Sequence, residues 1–253
     1  MRDPRSIVIT GASSGIGEAL ALAYARSGTF LALTGRDTAR LERVVERCRE
    51  KGAVVKAALA DARERETMAH WLAAVDSDES VDLVIANAGV SAGSGRGGET
   101  EDQARRIFAT NVDGVLNTIH PLLPAMTARK RGQIAIMASL AGFRGFPGAP
   151  AYCASKAAVR VYGEALRGEL CRHGIGVSVI CPGFVRSRIT GANEFPMPFL
   201  MDADKAARII MRGLERDRAR IAFPLPTHVG SWLLSLLPPQ WTDPLLKMAP
   251  KKG

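Results

Sequence analysis

The chain has 253 residues, of which 47 % are hydrophobic and 23 % charged, a balance that supports a sizeable core and excludes extensive disorder. Its net charge of +9 would suit an anionic partner, but much of it lies on segments such as RLERVVERCREK, whose alternating signs are typical of solvated helix faces. Only 6 % of residues are aromatic and nucleic-acid motifs are absent, so we expect no nucleic-acid partner.

Three further features concern location and metals. The start of the chain lacks the apolar run of a secretory signal, and no segment reaches the roughly 18 apolar residues that cross a membrane. The four cysteines show no metal-ligand spacing. We therefore expect a cytoplasmic protein with free thiols and no metal site.

Short apolar runs bounded by Gly, Pro or charged residues predict seven β-strands, at residues 6–10, 30–34, 54–58, 81–86, 133–138, 176–181 and 220–223. Between them, apolar residues recur with helical spacing, as Leu41, Val44, Val45 and Cys48 do before Gly52. This alternation predicts one doubly wound α/β domain, a parallel sheet with helices on both faces, over residues 1–225. Ligands of such sheets bind at the carboxyl ends of the strands.

The first predicted strand runs into TGASSGIG, residues 10–17, ahead of a helical segment. Gly11 permits a tight turn, Gly15 lets a diphosphate approach the backbone, and Gly17 lets the helix pack close to the strand. The helix then offers unpaired N–H groups and the positive end of its dipole to the phosphates. This turn predicts a dinucleotide site.

The residues after the second strand select the cofactor. Position 35 is Gly, where an NAD-preferring site would carry a carboxylate, and Arg36 supplies a guanidinium suited to a 2′-phosphate. Asp37 could bind the ribose instead, but its place before TARLERV suits a helix N-cap. We therefore expect NADP(H), with NAD(H) as the alternative.

In AYCASK, residues 151–156, Tyr152 and Lys156 stand four positions apart, which puts both on one face of a helix. A plain surface pair is one interpretation. The other is chemical, because a cation within about 4–6 Å favours the phenolate and would bring a phenol pKa of about 10 towards neutrality. On that interpretation Lys156 lowers the pKa of Tyr152, so that the phenol can exchange protons with a substrate.

TGASSGIG, NAG at 87–89, Asn111, Ser139, YCASK and PG at 182–183 occur in one order, and over residues 5–225 the chain resembles the short-chain dehydrogenase/reductase family. The resemblance implies a single-domain Rossmann-type fold with a seven-stranded sheet. It also implies an NADP(H)-dependent oxidoreductase that interconverts a ketone and a secondary alcohol on a small-molecule substrate. A cofactor-binding regulatory or scaffold protein without turnover is the alternative.

The same resemblance assigns roles to residues. Tyr152 would be the general acid/base, and Lys156 would lower its pKa and bind the nicotinamide ribose. Ser139 would hydrogen-bond the substrate oxygen, and Asn111 would support a water that links Lys156 to solvent. Asp61 would contact the adenine. The expected cofactor-binding residues, besides Tyr152 and Lys156, are Gly11, Ser13, Ser14, Gly15, Ile16, Gly17, Arg36, Asp61, Asn87, Ala88, Gly89, Pro182, Gly183, Val185 and Ser187, the last standing where the family usually has threonine.

Two segments beyond these motifs should govern substrate and partners. Residues 188–204 occupy the position of a substrate lid, and their apolar side chains favour either a lipophilic substrate or packing onto the protein's own core: Phe195, Met197, Phe199, Leu200 and Met201. Residues 226–253 form an apolar and basic extension, with Trp232 and Trp241 among leucines ahead of Lys251 and Lys252. It could lie on a membrane surface, pack against a partner subunit or roof the pocket. The family resemblance also implies a homodimer or homotetramer, assembled through residues 101–129 and 151–173.

Overall fold

The computed structural model of the protein describes residues 3–91, 99–191 and 196–247. Its seven strands form one sheet in the order β3-β2-β1-β4-β5-β6-β7, and every neighbouring pair is parallel. The strands are β1 (Ser6–Ile9), β2 (Phe30–Gly35), β3 (Val54–Leu59), β4 (Leu83–Ala86), β5 (Gly132–Met137), β6 (Ile175–Pro182) and β7 (Arg220–Phe223). The predicted strands and the doubly wound fold are thereby confirmed.

Helices cover both faces of the sheet. They are α1 (Gly15–Tyr24), α2 (Thr38–Glu50), α3 (Arg65–Asp78), α4 (Glu101–Phe108), α5 (Gly114–Ile119), α6 (Leu123–Ala128), α7 (Pro150–Leu170), α8 (Arg188–Gly191), α9 (Ala203–Glu215), α10 (Leu225–Leu236) and α11 (Pro239–Lys247). A π-helical turn, Ala109–Asp113, joins α4 to α5, so the helical stretch expected at 101–129 is interrupted. A short 3-10 helix, Leu140–Gly142, follows β5.

The two helical layers arise from the alternation of side chains along each strand. In β1, Ile7 and Ile9 enter the core that includes Leu20 of α1, whereas Val8 enters the core on the other face with Met68 of α3. All three strand residues are fully buried. Continuous apolar strands are therefore what a sheet covered on both faces requires.

The topology fixes where a ligand can bind. From β1 the chain adds β2 and β3 on one side, and then returns to add β4 to β7 on the other side. The carboxyl ends of β1 and β4 are thus neighbours at the point where strand order reverses, and a crevice opens there. The turn at residues 10–17 and the NAG segment at 87–89 both start at this point.

Beyond β7, α10 contacts that strand and the short 3-10 helix after β5. Among the helices of the described ranges, none is both long and apolar enough to cross a membrane. Met248, Lys251 and Lys252 of the predicted extension lie outside the described residues.

Candidate active site

The turn after β1 has the backbone geometry expected of its glycines. Gly11 and Gly15 have φ values of +65° and +60°, which residues with a Cβ rarely adopt. Ser14 is the N-cap of α1, but its side chain makes no capping hydrogen bond. The first N–H groups of α1 therefore face the crevice as potential donors to an anion.

Asn87 secures this turn from the neighbouring strand. Its Nδ2 donates to the carbonyl oxygens of Thr10 at 2.9 Å and Gly11 at 3.2 Å. The hydroxyl of Thr10 in return accepts from the backbone N–H groups of Asn87 and Ala88. A Cβ on Gly17 would lie 2.5 Å from Asn87 Nδ2, so this glycine lets α1 approach the turn and Asn87.

Two arginines and one acid, Arg36, Arg40 and Asp37, follow the end of β2. Asp37 accepts from the backbone N–H of Arg40 at 3.0 Å and pairs with the Arg40 guanidinium at 2.7 Å, which confirms it as the N-cap of α2. The side chain of Arg36 is 46 % exposed, and its Nη1 lies 3.8 Å from Asp61 Oδ2. The Asp37 carboxylate, which was the alternative ribose ligand, is thus already engaged by Arg40.

Asp61, which follows β3, is held mainly by Arg63. The backbone N–H, Nε and Nη2 of Arg63 all donate to its carboxylate, at 3.0, 3.0 and 2.7 Å. Burial, the largest single influence, raises the pKa of Asp61, but the hydrogen bonds and charge of Arg63 and the charge of Arg36 together lower it. Asp61 therefore remains ionised at the edge of the crevice.

Ser139, Tyr152 and Lys156 meet at the base of the crevice. Ser139 directly precedes the 3-10 helix and its Oγ accepts from the Ala141 N–H at 3.1 Å, while its side chain is also hydrogen-bonded to Tyr152. Tyr152 and Lys156 lie one turn apart on α7, with Lys156 Nζ 6.0 Å from the centre of the tyrosine ring. Lys156 is 4 % exposed and donates to the Met137 carbonyl at 2.7 Å.

The protonation of this pair differs from the sequence-based prediction. Burial raises the pKa of Tyr152 above its usual value, and the hydrogen bond from Ser139 lowers it only in part. Burial also lowers the pKa of Lys156 to about 8. Removal from water disfavours the charged form of each group, and in this structure it outweighs the predicted lowering of the tyrosine pKa by Lys156.

Asn111 lies in the π-helical turn and is fully buried. Its Oδ1 accepts from the Val90 N–H at 2.8 Å, and its Nδ2 donates to the Val90 carbonyl and to Ser155 Oγ, both at 3.0 Å. It thereby links the segment after β4 to α7. A Cβ on Gly89 would lie 3.3 Å from Asn111 Oδ1 and 3.4 Å from Lys156 Nζ, so Gly89 separates these two side chains.

One cleft of about 600 Å³ collects nearly all of the predicted site residues. Its lining includes Gly11, Ser13, Ser14, Gly15, Ile16, Arg36, Asp61, Asn87, Ala88, Gly89, Ser139, Tyr152, Lys156, Pro182, Gly183, Val185 and Ser187. Asn111 and Gly17 stand behind this lining and support it. The cleft thus joins the phosphate turn at one end to the Tyr152 and Lys156 pair at the other.

The predicted lid divides in two. Arg188, Ile189 and Thr190 line the cleft, but the described residues from 196 onward do not. Met201 is buried in the core and pairs with Val185 through an isolated bridge, so this side chain packs onto the protein itself, whereas Phe199 is 60 % exposed. Phe195 lies outside the described residues.

Comparison with known proteins decides the family. Residues 5–195 match the family model described as short chain dehydrogenase. This chain belongs to the short-chain dehydrogenase family. The predicted resemblance is confirmed, and the protein is an NAD(P)-dependent oxidoreductase.

The relatives of this short-chain dehydrogenase extend over nearly its whole length. An uncharacterized oxidoreductase of Myxococcus xanthus is 36 % identical, covering 98 % of this chain and 97 % of that protein. A short-chain dehydrogenase from Sphingobium yanoikuyae in complex with NADPH has a TM-score of 0.81 at 28 % identity, covering 98 % and 97 % of the two chains. A 3-oxoacyl-(acyl-carrier protein) reductase from Brucella melitensis with bound NAD has a TM-score of 0.74 at 25 % identity, covering 86 % and 89 %. The residues after 195, beyond the family model, are therefore also matched in the first two proteins.

The residues present fit a dinucleotide. A Cβ on Gly15 would lie 3.0 Å from the Ser187 Cβ and would narrow the space between the start of α1 and the segment after β6. The Arg40 Nε is a buried donor without a hydrogen-bond partner among the described residues. Gly15 and Arg40 both line the cleft. The open backbone at Gly15 and the unused Arg40 donor are features that suit the binding of phosphate groups.

Arg40 and Thr10 are two residues of the candidate site that the sequence-based prediction did not include. Arg40 lines the cleft, as Arg36 does. The sequence could have indicated Arg40, because it stands in the first turn of the helix that Asp37 caps, close to the end of β2. Thr10 acts through its hydroxyl on the neighbouring strand end. No local pattern reveals that contact, because strand order must be known first.

Proposed function

We propose that this short-chain dehydrogenase is an NADP(H)-dependent enzyme that interconverts a ketone and a secondary alcohol, with Tyr152 as the general acid/base. The observation that carries the proposal is the single cleft in which Ser139, Tyr152 and Lys156 lie beyond the phosphate turn. When bound, the nicotinamide supplies or accepts the hydride. The chain's own residues must then position the substrate oxygen and move one proton.

Tyr152 is the proton donor in the direction of reduction. Its raised pKa keeps the phenol protonated at neutral pH, so its O–H is available to a substrate oxygen. Ser139, already hydrogen-bonded to the phenol, offers a second contact to the same oxygen and keeps it beside Tyr152. Lys156 stays mostly charged below about pH 8, and its charge favours the phenolate that remains after proton transfer.

Asn111 and Met137 position Lys156 and its surroundings. The Met137 carbonyl accepts one of the three ammonium hydrogens at 2.7 Å, which leaves others for a ribose hydroxyl or for water. Asn111 uses its whole amide on Val90 and Ser155, so it fixes the wall of the cleft beside Lys156. This supports its role as a positioning residue of the proton path.

The preference for NADP(H) is supported by the charges at the end of β2. Arg36 and Arg40 both line the cleft, and Gly35 offers no carboxylate. The carboxylate of Asp37 is engaged by the backbone and side chain of Arg40, so it is a poor acceptor for a ribose diol. A 2′-phosphate would meet two guanidinium groups there, which is the arrangement that phosphate recognition favours.

A lipophilic substrate is supported by apolar side chains that line the cleft. Val90, Ile107 and Ile189 contribute to the lining, and Ile189 is exposed although it is apolar. An exposed isoleucine at a cleft mouth gains from contact with an apolar part of a ligand.

A homo-oligomer through α4 and α7 is supported by exposed Phe108 and Val161 on these two helices, and sedimentation velocity would test it.

The purified chain should be mixed with NADPH, and separately with NADH, and cofactor oxidation followed against ketones of increasing chain length. Turnover that is faster with NADPH and rises with chain length is the expected result. Tight NADPH binding with no turnover on any ketone would contradict the proposed activity and favour a cofactor-binding protein without turnover.

The Tyr152→Phe variant tests the mechanism directly. Loss of the phenol hydroxyl should lower kcat about 10²–10⁴-fold, because the proton donor is gone, while NADPH affinity stays close to that of the wild type. Tyr162→Phe, a change on the same helix whose hydroxyl contacts His120 Nε2 at 2.9 Å, is the matched control. Full activity of Tyr152→Phe would remove this residue from the mechanism.

A further inference from the structure

The outer face of α10 is apolar, although it faces solvent. Its exposed side chains are those of Leu225, Val229, Trp232, Leu233 and Leu236. At 3.6 residues per turn these positions form one stripe along the helix. The opposite face, towards the protein, carries buried Ser231 and half-buried Thr227 and Leu234. Most of the apolar side chains of α10 therefore face solvent, and this stripe, here called the outer apolar face, is suited to being covered.

The outer apolar face is held in a fixed position. Trp241, 69 % exposed, continues it on α11, where Thr242 is buried. Arg144 donates to Thr242 Oγ1 at 3.0 Å and pairs with Asp243 at 2.9 Å. The face therefore belongs to an anchored pair of helices, and not to a loose end of the chain.

A basic groove borders this face. A cavity of about 480 Å³ between α9, β7 and α10 is lined by Arg212, Arg216, Arg218, Arg220 and His228, together with apolar side chains. Because His228 is one turn before Trp232 on α10, the groove runs along the edge of the outer apolar face.

The arginines of the groove are largely uncompensated. Arg220 is paired with Glu164, but within the described residues Arg212, Arg216 and Arg218 take part in no ion pair. The acid between two of them, Asp217, is engaged by Arg167 at 2.8 Å. The groove therefore carries an excess of exposed positive charge.

We propose that the outer apolar face and the basic groove together form a docking site for an anionic phospholipid bilayer, with α10 lying in the plane of the headgroups. Tryptophan and leucine side chains suit the boundary between headgroups and acyl chains. Exposed arginines beside such a face are attracted by anionic headgroups. A helix of 12 residues fits this interfacial arrangement.

A second copy of the chain fits the same surface less well. A two-fold contact through the outer apolar face would place the same patch of both copies together, and with it the two basic grooves. Like charges brought together across an interface oppose association. An anionic bilayer complements both the apolar stripe and the arginines.

Cosedimentation of the full chain with vesicles tests the site. Vesicles of phosphatidylcholine with about one third phosphatidylglycerol should bind the chain at least tenfold more tightly than phosphatidylcholine alone. The double variant Arg216→Gln/Arg218→Gln should weaken binding roughly 25-fold, from about fivefold for each arginine lost. Trp232→Ser/Leu236→Ser should abolish it. Arg43→Gln and Val54→Ser, exposed residues on α2 and β3, are the matched controls and should bind as the wild type does.

Three results would overturn the proposal. One is a wild-type chain that ignores the vesicles, and another is binding that neither double variant changes. In the third, the wild type binds no vesicles but forms a dimer, and sedimentation velocity shows that Trp232→Ser/Leu236→Ser is a monomer. This result would assign the outer apolar face to a second copy of the chain. NADPH binding and circular dichroism show whether each variant is folded, and the arginine variant keeps the test valid if the apolar one is not.

Discussion

Gly142 determines how closely Ser139 approaches the helix that carries Tyr152 and Lys156. It ends the 3-10 helix after Ser139 and packs against the backbone of α7. A Cβ at this position would lie 2.7 Å from the Lys156 carbonyl carbon and 2.8 Å from its oxygen, where ordinary contact begins at 3.4 Å. In Gly142→Ala the two segments must therefore separate by about 0.7 Å, or a tilt must produce an equivalent shift.

The shift acts on the distance between Ser139 and Tyr152. Because a misplacement of about 1 Å can cost roughly 10²-fold in rate, we expect kcat of Gly142→Ala to fall about 10–100-fold. Overpacking should also lower the free energy of unfolding by about 1–3 kcal/mol. NADPH affinity should change little, because the turn at residues 10–17 lies outside this contact. Steady-state kinetics, chemical denaturation and a fluorescence titration with NADPH measure the three quantities.

Gly145→Ala is the matched control, three residues further along the same loop. Its added Cβ would have no atom within 4 Å, and its φ is not positive, so kcat and stability should match the wild type. If Gly142→Ala folded and turned over as fast as Gly145→Ala, the packing of Gly142 on α7 would not govern the geometry of the site. The same reduction in both variants would trace the effect to the loop as a whole.

Three other changes have defined outcomes. Arg36→Glu should lower the ratio of kcat/KM for NADPH to that for NADH about 10–100-fold, because a charge-assisted contact is replaced by repulsion, and an unchanged ratio would rule out Arg36 as the 2′-phosphate ligand. Burial lowers the pKa of Lys156 from 10.5 to about 8, so between these two pH values the unfolded state binds more protons than the folded state. The free energy of unfolding of the wild type should therefore rise with pH between about pH 8 and 10.5, and that of Lys156→Met should lack this rise. Chemical denaturation at several pH values measures the difference. Within α7, Gly163→Ala would place a Cβ 2.6 Å from Val179 Cγ2 and should lower the unfolding free energy by about 1–3 kcal/mol. Gly168→Ala, with nothing within 4 Å, should raise it by up to about 1 kcal/mol, and equal effects of the two changes in denaturation would contradict this packing.

The sheet was predictable because its strands are covered on both faces. A buried parallel strand such as β4 is apolar at every position, so its signal is local and does not depend on its neighbours. The end of α2 was equally predictable from the local sequence, because Gly52, just after the helix, takes a φ of +86° that favours glycine. The interruption at Asn111 was not, because a π-helical turn shows no period in the sequence, and Asn111 bonds to Val90 and Ser155 on other segments.

The grouping of the candidate site residues around one cleft was predictable, but the electrostatics of that cleft was not. The spacing of Tyr152 and Lys156 correctly places both on one face of α7. It says nothing about burial, and burial decides both pKa values. Nor does the spacing show that Lys156 donates to Met137 at the end of β5, because that contact exists only once the strand lies under the helix.

The apolar segments show a similar limit, since composition does not say which surface a side chain covers. Met201 and Phe199 are both apolar residues of the predicted lid, yet Met201 is buried in the core and Phe199 is 60 % exposed. Only the position of the backbone beside Val185 separates the two cases. Among the described residues of the extension none lines the cleft, so the idea of a roof over the pocket finds no support there.

The loop between Ser139 and Tyr152 nevertheless connects the extension to the active site. The ring of Phe143 packs edge-on against His228 of α10 at 5.4 Å, and Arg144 is tied to Thr242 and Asp243 of α11. Gly142, next to Phe143, sets the contact with α7. Packed side chains and an ion pair therefore connect α10 and α11 directly to the segment that begins with Ser139. The described part of the extension thus packs against the loop that separates Ser139 from Tyr152, although none of its described side chains lines the cleft.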